Sequence, residues 1–225
     1  MRIGRHPLPI LVALVVVFIA TPALAVDLTK VSDDPYSNPA SQHQTEVEPD
    51  TFSSGSTVVS AFQVGRFFNG GSTDIGFATS TNNGGSWTAG FIRGLTFTSG
   101  LGGATGAPFE RVSDPSVAYD AEHAAWLISL IPLLPDTSTP TVFVNRSTDD
   151  GRTWSPPVSI PPPVAKSADL DKNWTVCDNV STRFRGHCYT ELDNFGSGND
   201  MLMSTSSEVG TRGACRSRPP ATTRA

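Results

Sequence analysis

The sequence predicts an all-β fold built from repeated units of four short strands. Gly 20 and Pro 18 are frequent and charged residues make up only 16%, a composition that suits many strands joined by turns. An octapeptide occurs twice, as S-T-N-N-G-G-S-W at residues 80–87 and as S-T-D-D-G-R-T-W at residues 147–154. The two copies lie 67 residues apart, and self-similarity at such a period indicates repeated supersecondary units.

Each octapeptide has the residues of a tight polar turn that closes a hairpin. Asp149 can accept hydrogen bonds from neighbouring backbone N–H groups, and Gly151 can take a positive φ. Trp154 offers an apolar surface that can hold the turn against a sheet. The residues to which we assign this structural role are Ser80, Asn82, Gly84 and Trp87 in the first octapeptide, and Ser147, Asp149, Gly151 and Trp154 in the second.

Both octapeptides resemble the Asp box, S-x-D-x-G-x-x-W, of the bacterial neuraminidase repeat family in the sialidase superfamily. The resemblance implies a β-propeller of four-stranded blades, with each box on the turn between the third and fourth strands and away from the central channel. About two and a half blades can be traced, whereas closed propellers have about four to eight. An incomplete propeller is therefore expected.

The first residues have the order of a secretory signal peptide. Arg2 and Arg5 precede an apolar run at residues 8–20, which ends in the small-residue site Ala23-Leu24-Ala25. A membrane anchor is the alternative, but the apolar run is short for a spanning helix. We expect cleavage after residue 25, a secreted or extracytoplasmic chain, and no membrane association after cleavage.

The mature chain divides by its turns and repeats. We predict an extended lead-in at 26–45, a partial propeller at 46–210 with blades at about 46–93, 111–160 and 169–210, and a basic irregular tail at 211–225. The tail has four arginines and no acid. A disordered tail is one interpretation. A frameshift is favoured, because the change in composition falls where only part of a third Asp box is present.

Three cysteines remain after the signal peptide. Cys177 and Cys188 lie 11 residues apart, which in an exported chain predicts a disulfide, with Cys215 left over. His187 is adjacent, but no paired Cys-x-x-Cys or second nearby histidine supports a metal site. No metal and no cofactor are expected. The net charge of −5 argues against a nucleic-acid partner and leaves a glycan or small-molecule ligand; the oligomeric state stays open.

The candidate functional residues are an acid at the start of each predicted blade and two arginines. Glu48, Asp114 and Asp171 begin the first strands and could form a ring of acids that donate a proton or accept ligand hydrogen bonds; alternatively, they cap these strands by bonding backbone N–H groups. Arg66 and Arg111 could bind a substrate carboxylate or form surface ion pairs. The arginine triplet expected from the resemblance, Arg-Ile-Pro, does not precede the first box.

Two functions follow from these patterns. One is an exported sialidase-like glycoside hydrolase that acts on extracellular glycans, with the activity of the fragment itself in doubt. The other is a non-catalytic secreted propeller that binds a glycan or a protein and uses its repeats as a scaffold. The resemblance favours the first, and the missing arginine triplet favours the second, because a fold does not fix a function.

Overall fold

The computed structural model describes residues 28–99, 109–160, 169–207 and 215–216. The expected signal peptide and almost all of the tail lie outside these residues, as does part of the loop between the first two blades. The account that follows concerns the unit Val31–Ala225. Within it the described secondary structure consists of β-strands and one short 3₁₀ helix, Phe195–Ser197, so the all-β prediction is confirmed.

The strands fall into three successive sets, which we call blades one, two and three. Blade one comprises β1 (Glu46–Ser54), β2 (Thr57–Arg66), β3 (Ser72–Ser80) and β4 (Thr88–Phe91). Blade two comprises β5 (Arg111–Asp120), β6 (Ala125–Leu133), β7 (Val142–Ser147) and β8 (Val158–Ile160). Blade three comprises β9 (Leu170–Cys177), β10 (Cys188–Asn194), β11 (Asp200–Ser206) and the two-residue β12 (Cys215–Arg216).

Neighbouring strands within each blade pair antiparallel in chain order. Blades one and two are also joined by a single backbone pair, Ser72 with Val112, so that they form one continuous sheet. Blade three is a separate four-stranded sheet. Sequential antiparallel strands need only short turns, which explains why glycine and proline are spread along the whole chain.

The core lies between consecutive blades. Val59, Ile75 and Phe77 of blade one pack in one buried cluster with Trp126 and Ile128 of blade two. A second cluster joins blade two to blade three through Ile131, Val142, Ile160, Leu170, Leu192 and Leu202. Each fully buried side chain of this size stabilises the fold by about 1.5–3 kcal/mol relative to exposure, so the packing of one blade on the next is the main source of order.

Both octapeptides form the same turn, between the third and fourth strands of their blades. Gly151 N donates to Ser147 Oγ (3.0 Å), and Thr153 N and Thr153 Oγ1 donate to Asp149 Oδ1 (2.9 Å) and Oδ2 (2.6 Å). Desolvation acts to raise the pKa of Asp149, but hydrogen bonds from Thr153, Ser147 and Arg152 outweigh it and lower this pKa to about 2.

The first octapeptide repeats these bonds with an amide in place of the carboxylate. Gly84 N donates to Ser80 Oγ (2.8 Å), and Ser86 N donates to Asn82 Oδ1 (2.8 Å). Asn82 Nδ2 donates to Ser86 Oγ (3.0 Å), which replaces the bond between Thr153 and Asp149. An asparagine therefore satisfies the same turn without a charge.

The second turn packs against the preceding blade. Thr79 Oγ1 of β3 donates to Gly151 O (2.8 Å), and Trp154 lies edge-on to Phe77 with ring centroids 5.8 Å apart. Gly151 has φ +74°, and a Cβ there would stand 2.7 Å from Val59 Cγ2. This turn is thus a contact between blades as well as the end of a hairpin.

The lead-in covers the face of blade one that points away from blade two. Val31 and Tyr36 pack against Phe62 and Val64, and Tyr36 Oη donates to Asp74 Oδ2 (2.6 Å). Asp74 is fully buried, and this desolvation raises the pKa of its carboxyl well above the usual range. The lead-in therefore occupies, for blade one, the position that a preceding blade has for blades two and three.

The corresponding outward face of blade three is exposed in the described part of the chain. Trp174, Val176, Met201 and Met203 are 40%, 51%, 63% and 43% exposed. Trp174 and Val176 lie on β9 and Met201 and Met203 on β11, the two strands on either side of β10, since Trp174 pairs with Glu191, and Glu191 pairs with Met203. Large apolar side chains alternate here with the buried residues of the same strands.

The predicted disulfide is confirmed. Cys177 and Cys188 are direct partners in the register of β9 and β10, and they form the bond. Beside them Asp178 N donates to His187 O (2.8 Å). Among the described residues we find no helix with the length and hydropathy needed to cross a membrane.

Candidate functional site

The innermost strand of each blade is irregular near its start. The register shifts between Val47 and Asp50 in β1, between Ser113 and Ser116 in β5, and opposite Glu191 and Asp193 in β9. The residues with positive φ at these irregularities are Glu48 (+54°), Asp114 (+49°) and Lys172 (+33°). Bulges of this kind redirect side chains and are frequent beside functional sites.

The third of these positions differs from the one that we expected. Sequence spacing placed Asp171 level with Glu48 and Asp114, but the backbone makes Lys172 their equivalent. Asp171 stands one residue earlier, where its Oδ1 accepts a hydrogen bond from Lys172 N (2.9 Å). A one-residue slip changes the direction of a side chain on a strand, and spacing alone could not resolve it.

Glu48 and Asp114 are linked across the boundary between blades one and two. Gln63 Nε2 donates to Glu48 Oε2 (2.5 Å) and lies 3.3 Å from Ser113 Oγ, to which it also donates. Ser113 Oγ donates to Asp114 Oδ1 (2.9 Å). Gln63 is almost completely buried, at 1% exposure, so this chain of hydrogen bonds holds the two acids in one region.

Asp193 adds a further carboxyl, which sequence reasoning missed. It is the direct partner of Asp171 in the register of β10 and β9. Desolvation raises the pKa of Asp193, and the negative charges of Asp171 and Asp114 raise it further. Its half-buried carboxyl thus shares one electrostatic environment with two of the predicted acids. Only the pairing of β9 with β10 could have revealed it.

Capping between blades is performed by other residues. Val117 N donates to Asp50 Oδ2 (2.7 Å), and Thr175 N donates to Ser116 Oγ (3.1 Å). Asp50 and Ser116 each stand two residues after a bulge, and each binds the backbone of the next innermost strand. Of the three predicted acids, Asp171 bonds a backbone N–H group, that of the next residue in its own strand.

The two candidate arginines contact the turn between β2 and β3. Arg66 donates to Phe67 O (3.1 Å). Arg111 donates to Asn69 Oδ1 (2.8 Å) and Gly70 O (3.2 Å), forms an ion pair with Glu110 (3.2 Å) and stacks over Phe67 at 4.6 Å. These contacts give both guanidinium groups a structural role, and across the described ranges none of their bonds reaches the acids.

We call Glu48, Gln63, Asp114, Asp171 and Asp193 the acidic cluster. Two of its oxygen atoms, Gln63 Oε1 and Asp193 Oδ1, are buried and accept no hydrogen bond from any described residue. The described residues include no group of three or more His, Cys, Asp and Glu side chains arranged to hold a metal ion. The carboxyl groups of the cluster can accept hydrogen bonds and exchange protons.

The architecture matches solved structures of glycosidases. A Hadza microbial sialidase superposes with a TM-score of 0.52 at 19% identity, over 70% of this chain and 34% of that one. A mutant Trypanosoma rangeli sialidase displaying trans-sialidase activity gives 0.53 at 13% identity, over 82% and 33%. The α-L-arabinofuranosidase of Fusarium graminearum in complex with arabinobiose gives 0.52 at 12% identity, over 79% and 49%.

These matches define the class of fold. The chain is a sialidase-like β-propeller, all-β and incomplete, since it spans between 33% and 49% of the length of those structures. No protein-family model matches the sequence, and no curated protein matches it. At these identities the likeness establishes the fold, and the chemistry has to be argued from the acidic cluster.

Proposed function

We propose that this chain is the glycan-binding part of an exported β-propeller glycoside hydrolase, with the sugar at the acidic cluster. The observation that carries the proposal is the convergence of carboxyls whose environments differ. Burial and two neighbouring charges raise the pKa of Asp193, as suits a proton donor, while Asp114 has a hydrogen bond from Ser113. Glycoside hydrolysis uses such a pair, one carboxylic acid and one carboxylate.

Secretion agrees with two features. The Cys177–Cys188 disulfide is typical of oxidising compartments, and the amino-terminal sequence has the order of a signal peptide. The solved structures with the same fold are named as a sialidase, a sialidase mutant displaying trans-sialidase activity and an arabinofuranosidase, and such enzymes act on glycans. Extracellular glycans are therefore the class of ligand that we propose.

The test measures turnover and binding separately. Fluorogenic sialoside, α-L-arabinofuranoside and β-galactoside substrates are offered to the full chain and to Asp193→Asn and Asp114→Asn variants. If a substrate is hydrolysed, we expect each variant to lower kcat at least about 100-fold, the usual contribution of a positioned acid or base. Glu122→Gln, which removes a carboxylate exposed on another turn, is the matched control.

Binding without turnover is the result expected of the second candidate, a non-catalytic scaffold. The observation that favours this candidate is that the described bonds of Arg66 and Arg111 go to the turn between β2 and β3 and to Glu110, and not to the acidic cluster. If the Asp193 and Asp114 variants bind every glycan as tightly as the unaltered chain does, the acidic cluster is not the site and both candidates fail.

A further inference from the structure

The outward face of blade three presents two neighbouring rows of side chains. Because β9, β10 and β11 pair in direct register, residues that pair with one another point to the same face of the sheet. One row is Trp174, Glu191 and Met203, and the next is Val176, Tyr189 and Thr205. The residues that lie between the two rows along each strand are buried. We call the surface formed by the two rows the open face.

The open face has a charged edge and an uncharged edge. Asp171 and Asp193 pair with each other beyond the row of Trp174, whereas the row of Val176 contains no carboxylate and no amine. The side chains of Trp174, Val176 and Met203 are all exposed. Contiguous apolar surface of this kind marks an interaction site, and the distribution of charge restricts what can cover it.

Blade three does not repeat the bonds by which one blade holds the next. Asp50 Oδ2 accepts a hydrogen bond from Val117 N, and Ser116 Oγ accepts one from Thr175 N. The equivalent residue of blade three, two positions after the third bulge, is Trp174. An indole N–H can only donate. The open face therefore lacks the acceptor that binds a following innermost strand, and its occupant contacts it in a different way.

We infer that the open face binds a second copy of this chain. Two copies related by a half-turn, about a line that crosses the strands between the two rows, place each strand over its counterpart in the opposite direction. The row of Trp174 in one copy then lies opposite the row of Val176 in the other, and the reverse contact forms at the same time. The open face is complementary to itself in this arrangement.

The apolar side chains of the two rows match. Trp174 meets the partner's Val176, and Met203 meets the partner's Thr205, so that each large side chain covers a smaller one. Lys172 belongs to the charged edge, where its Nζ lies 5.2 Å from the centre of the Trp174 ring. Interdigitation of large and small side chains is how two sheets pack face to face.

The polar groups match as well. Glu191 lies opposite the partner's Tyr189, whose hydroxyl can donate to the carboxylate. Within the described part of the chain, neither the Glu191 carboxylate nor the Tyr189 hydroxyl has another hydrogen-bond partner. The Asp171–Asp193 pairs of the two copies lie at opposite ends of the contact, roughly 20 Å apart at about 3.4 Å per residue. This separation exceeds the Debye length of about 8 Å at physiological salt.

The size of the open face sets the strength of the pair. Two rows on three strands cover roughly 200 Å² of sheet in each copy, less than the roughly 800 Å² per partner of a standard interface. We therefore expect a weak and reversible dimer, whose population rises with protein concentration.

Sedimentation equilibrium and light scattering of the full chain over a range of concentrations test the inference. We expect the mean mass to rise from that of a monomer towards that of a dimer. Val176→Asp should weaken the dimer at least about tenfold, because each dimer would bury two unpaired carboxylates. Val180→Asp is the matched control, since Val180 is 91% exposed on the loop between β9 and β10 and outside the open face. Both variants should keep the Tm of the unaltered chain.

Two further measurements test the arrangement. Tyr189→Phe removes only the hydroxyl and should weaken the dimer at least about fivefold, because it leaves Glu191 without a donor. Met203 lies inside the contact and Met201, which pairs with Asp193, lies at its charged edge. As protein concentration rises, oxidation of Met203 by dilute peroxide should slow more than that of Met201, as measured by mass spectrometry.

Several results would overturn the inference. A monomer at every concentration would do so, and protection of Met203 in that monomer would show that another part of the same chain covers the face. A dimer that tolerates Val176→Asp, or that Val180→Asp disrupts as strongly, would place the contact elsewhere. A dimer in which Tyr189→Phe has no effect, or in which Met201 and Met203 are protected equally, would refute the arrangement of the rows.

Discussion

Replacing Gly151 by alanine tests whether the repeated turn holds two blades together. Alanine at φ +74° carries the cost of the left-handed conformation, about 1–2 kcal/mol. Its Cβ would also stand 2.7 Å from Val59 Cγ2 and 3.1 Å from Thr79 Oγ1, closer than van der Waals contact allows. Val59 is completely buried, so it has little room to move, and overpacking of this kind adds about 1–3 kcal/mol.

The first octapeptide provides a matched control. Gly84 has a similar φ of +86°, but the nearest atom to an added Cβ is Trp87 Cζ2 at 3.8 Å, an ordinary contact. Gly84→Ala therefore carries the conformational cost alone. We expect a loss of about 1–2 kcal/mol in the free energy of unfolding for Gly84→Ala, and about 2–5 kcal/mol for Gly151→Ala once the overpacking cost is included.

Urea unfolding of the full chain, followed by tryptophan fluorescence and circular dichroism, measures both losses. Because 1 kcal/mol corresponds to about 2–4 °C in Tm for a chain of this size, thermal melts provide an independent check. Equal losses in the two variants would refute the reasoning, since they would show that the second turn does not press on the preceding blade. If Gly151→Ala does not fold while Gly84→Ala does, the result supports a contact between the second turn and the preceding blade.

Three further variants test other contacts. Asp149→Asn gives the second turn the amide that Asn82 has in the first, and we expect the free energy of unfolding to fall by about 1 kcal/mol at neutral pH. In the unaltered chain, the stabilisation by Asp149 is lost as pH falls from about 4 towards the folded-state pKa of about 2. The variant should not show this acid-dependent loss, and urea unfolding across the same pH range measures it. Because burial raises the pKa of Asp74, ionisation of its carboxyl opposes folding, and the stability of the unaltered chain should decline as pH rises above about 4. Thermal melts at pH 4 and pH 7 should show this decline in Tm for the unaltered chain and not for Asp74→Asn. Joint replacement of Cys177 and Cys188 by serine should lower the free energy of unfolding by about 3 kcal/mol, the effect of a short closed loop, and an unchanged urea midpoint would contradict this.

The sequence was sufficient for the repeated turns because their bonds are local. Ser147, Asp149 and Gly151 interact within five residues, so the octapeptide specifies its own geometry wherever it occurs. The Cys177–Cys188 bond was predictable for a related reason, since two cysteines 11 residues apart can face one another across a short hairpin-like connection. Local chemistry and short connections made these predictions succeed.

The acidic cluster depends on long-range register, and sequence reasoning reached only part of it. Glu48 and Asp114 were found from their spacing, but Gln63, which links them, belongs to β2 and has no motif of its own. Asp193 comes near Asp171 only because β10 pairs with β9. A bulge moved the equivalent position in blade three to Lys172, and a bulge leaves no reliable trace in residue spacing.

The lead-in gives the stack of blades two unlike ends. Val31 and Tyr36 cover blade one, whereas Trp174 and Met201 leave the described outer face of blade three open to solvent. Head-to-tail stacking of many copies would require both ends to be open, so the covered end blocks an endless filament. Two copies that met through their open faces would use the same surface twice, which gives an isologous, two-fold pair that closes on itself.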